Sequence, residues 1–202
     1  MTDYFALLDV PRQPWLEPAE LKKRFLSLSA ELHPDRVHGA NEPEKRAAQS
    51  RYAELNSAFQ CLNRPRDRLR HLLELETGSR GEQILNVPPM LMDFFMQFSS
   101  LCRQVDAFLT EKAAAQSPLL QVQLFERAQE WTIKISAMQK RLNQWRQDVE
   151  TALKQLDASW LGETQPQERA DILSRLEEIA RTFGFVERWS SQAQERFVQL
   201  SL

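Results

Sequence analysis

Apolar side chains recur every three or four residues along most of the chain, and this spacing predicts an all-α fold. The alternating runs of β-branched residues that mark strands are missing from the sequence. The first clear stripe belongs to a helix that we expect to begin at Pro18, since proline is tolerated in a first helical turn, and to end at Leu32. The apolar positions of this helix are Leu21, Phe25, Leu28 and Leu32.

A second helix is predicted where Asn41 precedes Glu44 by three residues, a spacing typical of a helix start. Its apolar stripe consists of Ala48, Tyr52, Leu55, Phe59 and Leu62. Residues 63–65 include a proline that breaks the pattern. A short helix over residues 67–76 follows, with an apolar face made of Leu69, Leu72 and Leu73.

Residues 77–89 contain two glycines and a proline pair, and we interpret them as a linker between two domains. Three long helical patterns follow the linker, over residues 90–115, 118–158 and 166–200. Short connections between long helices favour antiparallel packing, so we expect a three-helix bundle. The predicted organisation is a helical N-terminal domain over residues 1–76 and a C-terminal bundle over residues 90–202.

Composition excludes several classes of protein. The 202 residues include only 5 glycines, 3 histidines and 2 cysteines, too few for a disulfide framework, a zinc module or a glycine-rich phosphate loop. We therefore expect no metal and no cofactor. The 26 basic residues are balanced by 28 acidic ones, which leaves no basic footprint for nucleic acid.

The N-terminal sequence, the length of the apolar stretches and the lack of a catalytic pair exclude further classes of protein. The N-terminus carries Asp3 and no basic segment followed by an apolar run, and no apolar stretch is long enough to span a bilayer. We expect a soluble, cytoplasmic protein with no membrane contact. No nucleophile and base stand at a recognisable spacing, so we do not expect an enzyme.

The tripeptide His33-Pro34-Asp35 lies in the predicted loop between the first two long helices. Pro34 restricts both its own backbone and that of His33, so the loop loses little entropy when a partner binds. Asp35 is a compact carboxylate that can accept charge-assisted hydrogen bonds from an arginine on a partner. The alternative interpretation is that Pro34 only ends a helix and that His33 and Asp35 are solvated loop residues.

A basic segment lies beside this tripeptide. It comprises Lys22, Lys23 and Arg24 at the start of the preceding helix and Arg36 directly after the loop motif. By itself, such a run is more often a solvated helix face than a binding surface.

With the two flanking helices and the short element over residues 4–10, this motif makes residues 1–76 resemble a J domain, the module that stimulates ATP hydrolysis by DnaK-type chaperones. The resemblance implies that the chaperone contacts are His33, Pro34, Asp35, Arg36, Lys22, Lys23 and Arg24. The basic helix would then face an acidic chaperone surface and make a salt-sensitive contact. The match is partial, since Leu26, Ser29 and Ala30 stand where related domains often carry basic or long polar side chains.

The remainder of the chain resembles the HscB-type co-chaperones. The close of their J domain is matched by Pro65, Arg68, Leu72, Leu73 and Gly78, and the start of their bundle by Leu91, Met92 and Asp93. Their last helix is matched by Phe185, Val186, Glu187, Arg188, Ser191 and Ala193. The resemblance implies an L-shaped arrangement of a J domain followed by a three-helix bundle.

This family delivers an IscU-like iron-sulfur scaffold protein to the DnaK-like chaperone HscA, and the resemblance implies the same role here. The implied contacts for the delivered protein, the client, are Leu91, Met92, Phe95 and Phe185. The family has charged side chains after the Leu-Met pair, where this chain has Phe94, Met96, Phe98, Ser99 and Ser100. This difference favours a different polypeptide client of a general DnaK as the alternative. Phe94, Phe95 and Phe98 are equally compatible with a buried role in the bundle. A purely structural helical adaptor is a further alternative.

Other conspicuous residues have ordinary explanations. His38 and His71 lack cysteine or histidine partners at ligand spacing, so we expect no metal there. The tryptophans Trp131, Trp145, Trp160 and Trp189 are expected in the core or at the edge of the bundle.

Overall fold

A computed structural model describes residues 2–33, 41–79, 86–115, 117–162 and 165–201, and these residues contain helices and no strands. The helices are α1 (Tyr4–Leu7), α2 (Pro18–Glu31), α3 (Glu42–Asn63), α4 (Pro65–Thr77), α5 (Met92–Ala114), α6 (Pro118–Trp160) and α7 (Pro166–Ser201). A 3₁₀ turn over Pro89–Leu91 precedes α5. The all-α prediction is confirmed.

Local sequence signals explain where several helices begin and end. The side chain of Asn41 accepts the backbone N–H of Glu44 at 3.0 Å and caps α3, as its spacing predicts. Pro65 does end α3, but it also occupies the first turn of α4, which therefore begins two residues before the predicted start. Gly78 follows α4 with a left-handed backbone (φ 67°), a conformation that glycine adopts at little cost.

The chain forms two compact units. The first contains residues 1–83 together with residues 151–181, and the second contains residues 84–150 together with residues 182–202. Helices α6 and α7 therefore contribute to both units. These units do not coincide with the predicted ranges 1–76 and 90–202, and the linker over residues 77–89 stays a prediction.

The N-terminal part of the first unit is an antiparallel pair of helices, α2 and α3, packed with α1 and α4. Phe25 stacks on Phe59 at a centroid distance of 4.2 Å, while Ser29 lies near Tyr52, so the two helices run in opposite directions. The core comprises Phe5, Leu8, Leu16, Leu21, Leu55, Ala58, Leu62, Leu69 and Leu72, each at most 5% exposed. Its members on the helix pair are Leu21 near the start of α2 and Leu55, Ala58 and Leu62 in the second half of α3, so this core lies toward the end of the pair opposite His33.

The connection between α1 and α2 is anchored by the last turns of α6. The indole Nε1 of Trp160 donates to the carbonyl of Arg12 at 2.9 Å. The backbone N–H of Trp15 donates to Asp157 at 2.8 Å, and the Lys154 ammonium lies 4.4 Å from the Trp15 ring centroid. Trp160, expected in the bundle, instead belongs to the same compact unit as the N-terminal helices.

The second unit is built on an aromatic core. The Phe94 ring lies 4.6 Å from Trp145 and 5.5 Å from Trp189, while Phe108 lies 6.3 Å from Trp131. These pairs join α5 to both α6 and α7, and they place the three remaining tryptophans in or against the core as predicted. The sequence order of the contacts makes α6 antiparallel to α5, as a bundle requires.

Candidate functional site

His33 lies just beyond the C-terminus of α2, where its side chain is exposed. Its ring approaches the ring of Tyr52 on α3 edge-on, with centroids 5.5 Å apart and an interplanar angle of 73°. This contact fixes the histidine at the end of the helix pair. The other predicted members of the loop, Pro34, Asp35 and Arg36, lie outside the described residues.

Tyr52 is a residue whose role the sequence pattern did not reveal. It belongs to the apolar stripe of α3, yet its hydroxyl accepts a hydrogen bond from Ser29 of α2 at 3.2 Å. Tyr52 therefore links the last turns of α2 to α3 while its ring supports His33. The sequence indicates this role of Tyr52 only when the apolar stripe of α3 is combined with antiparallel pairing, because that pairing brings the middle of α3 next to the end of α2.

The three basic residues of α2 have different environments. Lys22 and Lys23 are exposed, and the only ion pair recorded for Lys23 among the described residues is a long contact of 3.9 Å to Glu20. Such an exposed pair contributes little, so both ammonium groups are accessible to a partner. Arg24 is half-buried and forms an ion pair with Asp9, which lies two residues after the end of α1 and has a φ of 52°. The Arg24–Asp9 ion pair thus ties α2 to the segment that follows α1.

The predicted client residues divide into buried and accessible ones. Leu91 and Phe185 are only 2% and 7% exposed and belong to the core of the second unit. Met92 is 42% exposed, whereas Phe95 is half-buried with its ring stacked 6.0 Å from Trp189. Of these four residues, Met92 and Phe95 are the ones accessible enough to touch a client directly. A role in client contact stays a prediction for Leu91, Met92, Phe95 and Phe185.

Two further methionines extend the accessible surface. Met90 is 79% exposed and Met96 is 61% exposed, and Met96 is one helical turn after Met92. We call Met90, Met92, Phe95 and Met96 the methionine face. Unbranched, polarizable methionine side chains adapt to irregular apolar surfaces, which suits polypeptide recognition.

Burial decides between client contact and a core role for the phenylalanines of α5. Phe94 and Phe98 are each 1% exposed and stack at 5.7 Å, so they are core residues. Phe95 lies at the edge of that core.

The histidine of α4 has a structural role. The backbone N–H of Tyr4 donates to Nε2 of His71 at 3.1 Å, and the two rings stack with centroids 4.6 Å apart. Desolvation by burial is the main cause that lowers the pKa of His71, although Asp3 and Glu74 act in the opposite direction. The lowered pKa favours the neutral ring, whose Nε2 accepts this hydrogen bond, and His71 thereby connects α4 to α1.

The described residues hold no cluster of three or more histidine, cysteine or acidic side chains suited to a metal ion. Cys61 and Cys102 are free thiols. Burial raises the pKa of Cys61 to about 11, with Asp67 adding to the effect, and burial also raises the pKa of Cys102. Among the helices that the structure describes, none combines the length and hydropathy that crossing a membrane requires.

Comparison with known proteins identifies the N-terminal region. Residues 3–71 match the DnaJ domain, which is also called the J domain. The chain is 36% identical over 94 residues to a co-chaperone protein HscB homolog of Paraburkholderia phymatum, covering 46% of this chain and 53% of the relative. It is 30% identical over 106 residues to the co-chaperone protein HscB of Proteus mirabilis, covering 52% of this chain and 59% of the relative. The chain thus spans about half the length of the curated relatives it matches.

Solved structures extend the similarity of fold across the chain. The chaperone HscB of Vibrio cholerae matches with a TM-score of 0.59 at 22% identity, covering 96% of each chain. The human co-chaperone protein HscB matches with a TM-score of 0.53 at 21% identity, covering 98% of this chain and 81% of that one. At this identity the match shows a shared fold.

Proposed function

We propose that this chain, whose residues 3–71 match the DnaJ domain, is an HscB-type co-chaperone. It stimulates ATP hydrolysis by a DnaK- or HscA-type chaperone and delivers an iron-sulfur scaffold protein as client. The observation that carries the proposal is the position of His33, which is exposed at the end of an antiparallel helix pair within residues matching the DnaJ domain. The curated relatives, whose names are those of co-chaperones, support the same role.

The proposed contact with the chaperone has two parts. Lys22 and Lys23 present an exposed positive edge, which attracts an acidic surface and raises the encounter rate at low ionic strength. His33, held against Tyr52, then presents its ring together with Pro34 and Asp35. We expect Arg24 to contribute less, because it is already paired with Asp9.

The proposed contact with the client lies on the second unit. The methionine face offers three exposed methionines and the half-buried Phe95, next to the core residues Phe94 and Phe98 of α5. Leu91 and Phe185 support this surface from the core, and we expect their effect on client binding to come through packing. An apolar client surface fits these side chains better than a charged one does.

Single-turnover ATP hydrolysis by a DnaK-type chaperone and by HscA tests the proposed J-domain activity. We expect the protein to accelerate hydrolysis and the substitution His33→Gln to abolish the acceleration. The fold should survive this substitution because the side chain is exposed beyond the helix end. His38→Gln is the matched control, and equal stimulation by the wild type and His33→Gln would contradict the proposal.

A second candidate keeps the J-domain activity and changes the client. The observation that favours it is Met96, which is 61% exposed where the HscB-type pattern has a charged residue. Titration of the protein with an iron-sulfur scaffold protein, followed by calorimetry, separates the two. Binding that is weakened by Met92→Asp supports the scaffold as client, while absence of binding favours another polypeptide.

A further inference from the structure

Leu26 is an exposed apolar residue on the helix that carries the basic edge. It is 55% exposed, although most of α2 directs its leucines and phenylalanine toward α3 and the core. Leu21, for comparison, is 2% exposed, and Phe25 stacks on Phe59. Leu26 therefore does not serve the core of the domain.

The neighbours of Leu26 on the helix surface are defined by helical spacing. Lys22 precedes it by four residues, Lys23 precedes it by three, and Ala30 follows it by four, so all three border it on one face. These four residues, which we call the α2 face, are all exposed. The face thus consists of an apolar centre with two cations at one end and a small side chain at the other.

This arrangement differs from a purely electrostatic docking surface. Two cations alone favour any acidic partner and do not distinguish partners by their apolar surface. An exposed leucine in the middle gains free energy only where the partner offers an apolar site at the same position. The long aliphatic stems of the two lysines can cover the rim of such a site while their ammonium groups reach acidic side chains.

We propose that Leu26 is a specificity-determining contact for the chaperone, selecting an ATPase domain whose acidic docking surface contains an apolar site opposite the centre of the α2 face. This inference rests on the proposed function, because the same face is the one expected to meet the chaperone. Ala30 leaves room for the partner to approach on the side away from the lysines. The occupant is therefore a protein surface that is acidic at one end and apolar at its centre.

The test measures stimulation of single-turnover ATP hydrolysis by DnaK and by HscA as a function of co-chaperone concentration. We expect Leu26→Ala to raise the concentration that gives half-maximal stimulation by about tenfold with the preferred chaperone. The matched control is Leu161→Ala, since Leu161 is 65% exposed at the end of α6, outside the α2 face. The control should behave like the wild type, and thermal unfolding should show that both variants keep the wild-type fold.

Leu26→Lys separates an apolar contact from a contact based on charge. If the α2 face acts through charge alone, the added cation strengthens stimulation, and this result would overturn the inference. We expect the lysine variant to weaken stimulation, because an ammonium group in an apolar site loses its hydration.

The remaining outcomes keep the two proposals apart. Wild-type behaviour of Leu26→Ala with both chaperones, together with loss of stimulation in His33→Gln, overturns the role of Leu26 and leaves the proposed function intact. If the wild-type protein stimulates neither chaperone, the proposed function fails and the role of Leu26 fails with it.

Discussion

Trp160 provides a direct test of how the α1–α2 connection is held. Its side chain is 6% exposed, its indole Nε1 donates to the carbonyl of Arg12 at 2.9 Å, and the Arg169 guanidinium lies 3.4 Å from its ring centroid. If these contacts stabilise the N-terminal helices, removing the indole at the end of α6 will loosen α1 to α4, far away in sequence. Most residues of these helices do not contact Trp160, so the expected change lies away from the substituted position.

Two substitutions separate the contributions of the indole. Trp160→Phe keeps an aromatic ring and removes the hydrogen bond to Arg12, which costs about 1–2 kcal/mol once the carbonyl is left unpaired. Trp160→Ala also removes the buried ring, for a total of about 3–5 kcal/mol. A loss of that size lowers the melting temperature of a unit of this length by roughly 10 °C or more.

Urea unfolding followed by circular dichroism measures the free energy, and amide hydrogen exchange locates the change. We expect Trp160→Ala to increase exchange in α2 and α3 as well as in the last turns of α6. Trp131→Ala is the matched control, since Trp131 packs against the core of the second unit. A cost of less than about 1 kcal/mol for Trp160→Ala, or exchange in α2 and α3 at the wild-type level, would show that Trp160 does not hold the N-terminal helices.

Three further predictions concern buried polar groups. Arg68 is 2% exposed and donates hydrogen bonds to the backbone carbonyls of Pro14 and Leu62 at 2.9 and 2.8 Å. Arg68→Met should therefore lower the free energy of unfolding, measured in urea, by about 3 kcal/mol. A loss equal to that of the exposed control Arg51→Met would contradict this prediction. Burial lowers the pKa of His71, so the unfolded chain binds more protons and stability should fall as the pH drops through the ordinary histidine pKa, about 6.5. His71→Gln should flatten this pH dependence of the unfolding midpoint, and an unchanged slope would refute the assignment. Because the pKa of Cys61 is raised to about 11 and that of Cys102 is also raised, both thiols should react slowly with a disulfide reagent near neutral pH until urea is added; equal rates with and without urea would argue against burial as the cause.

The helices were the most predictable part of the molecule, because their signals are local. The Asn41–Glu44 spacing correctly predicted the start of α3, and the periodic stripe of α2 predicted its end to within one residue of Glu31. Each signal depends on residues three or four apart, which the helical repeat itself brings together. The position of His33 at the end of α2 followed from these boundaries.

The parts that could not be predicted depend on residues distant in sequence. Nothing near Trp160 indicates that its indole bonds to the carbonyl of Arg12, and nothing near Arg24 distinguishes its pairing with Asp9 from the exposure of Lys22 and Lys23. Only tertiary packing decides such contacts.

The client region shows the same limit within a single helix. The sequence pattern from Met90 to Phe98 is apolar on too many sides of the helix for periodicity to separate core residues from surface residues. The structure makes the separation, with Phe94 and Phe98 buried and Met92 and Met96 exposed. Burial of Leu91 and Phe185 likewise depends on how the 3₁₀ turn before α5 and helix α7 pack into one core.

We propose that this protein joins a chaperone to its client through two surfaces, one on the DnaJ domain and one on the methionine face. The most direct measurement is single-turnover ATP hydrolysis by HscA with this protein, with an iron-sulfur scaffold protein, and with both. We predict that the two together accelerate hydrolysis by more than the product of their separate effects, and that His33→Gln and Met92→Asp each remove this excess. An acceleration by this protein that is unchanged by the scaffold would contradict the claim.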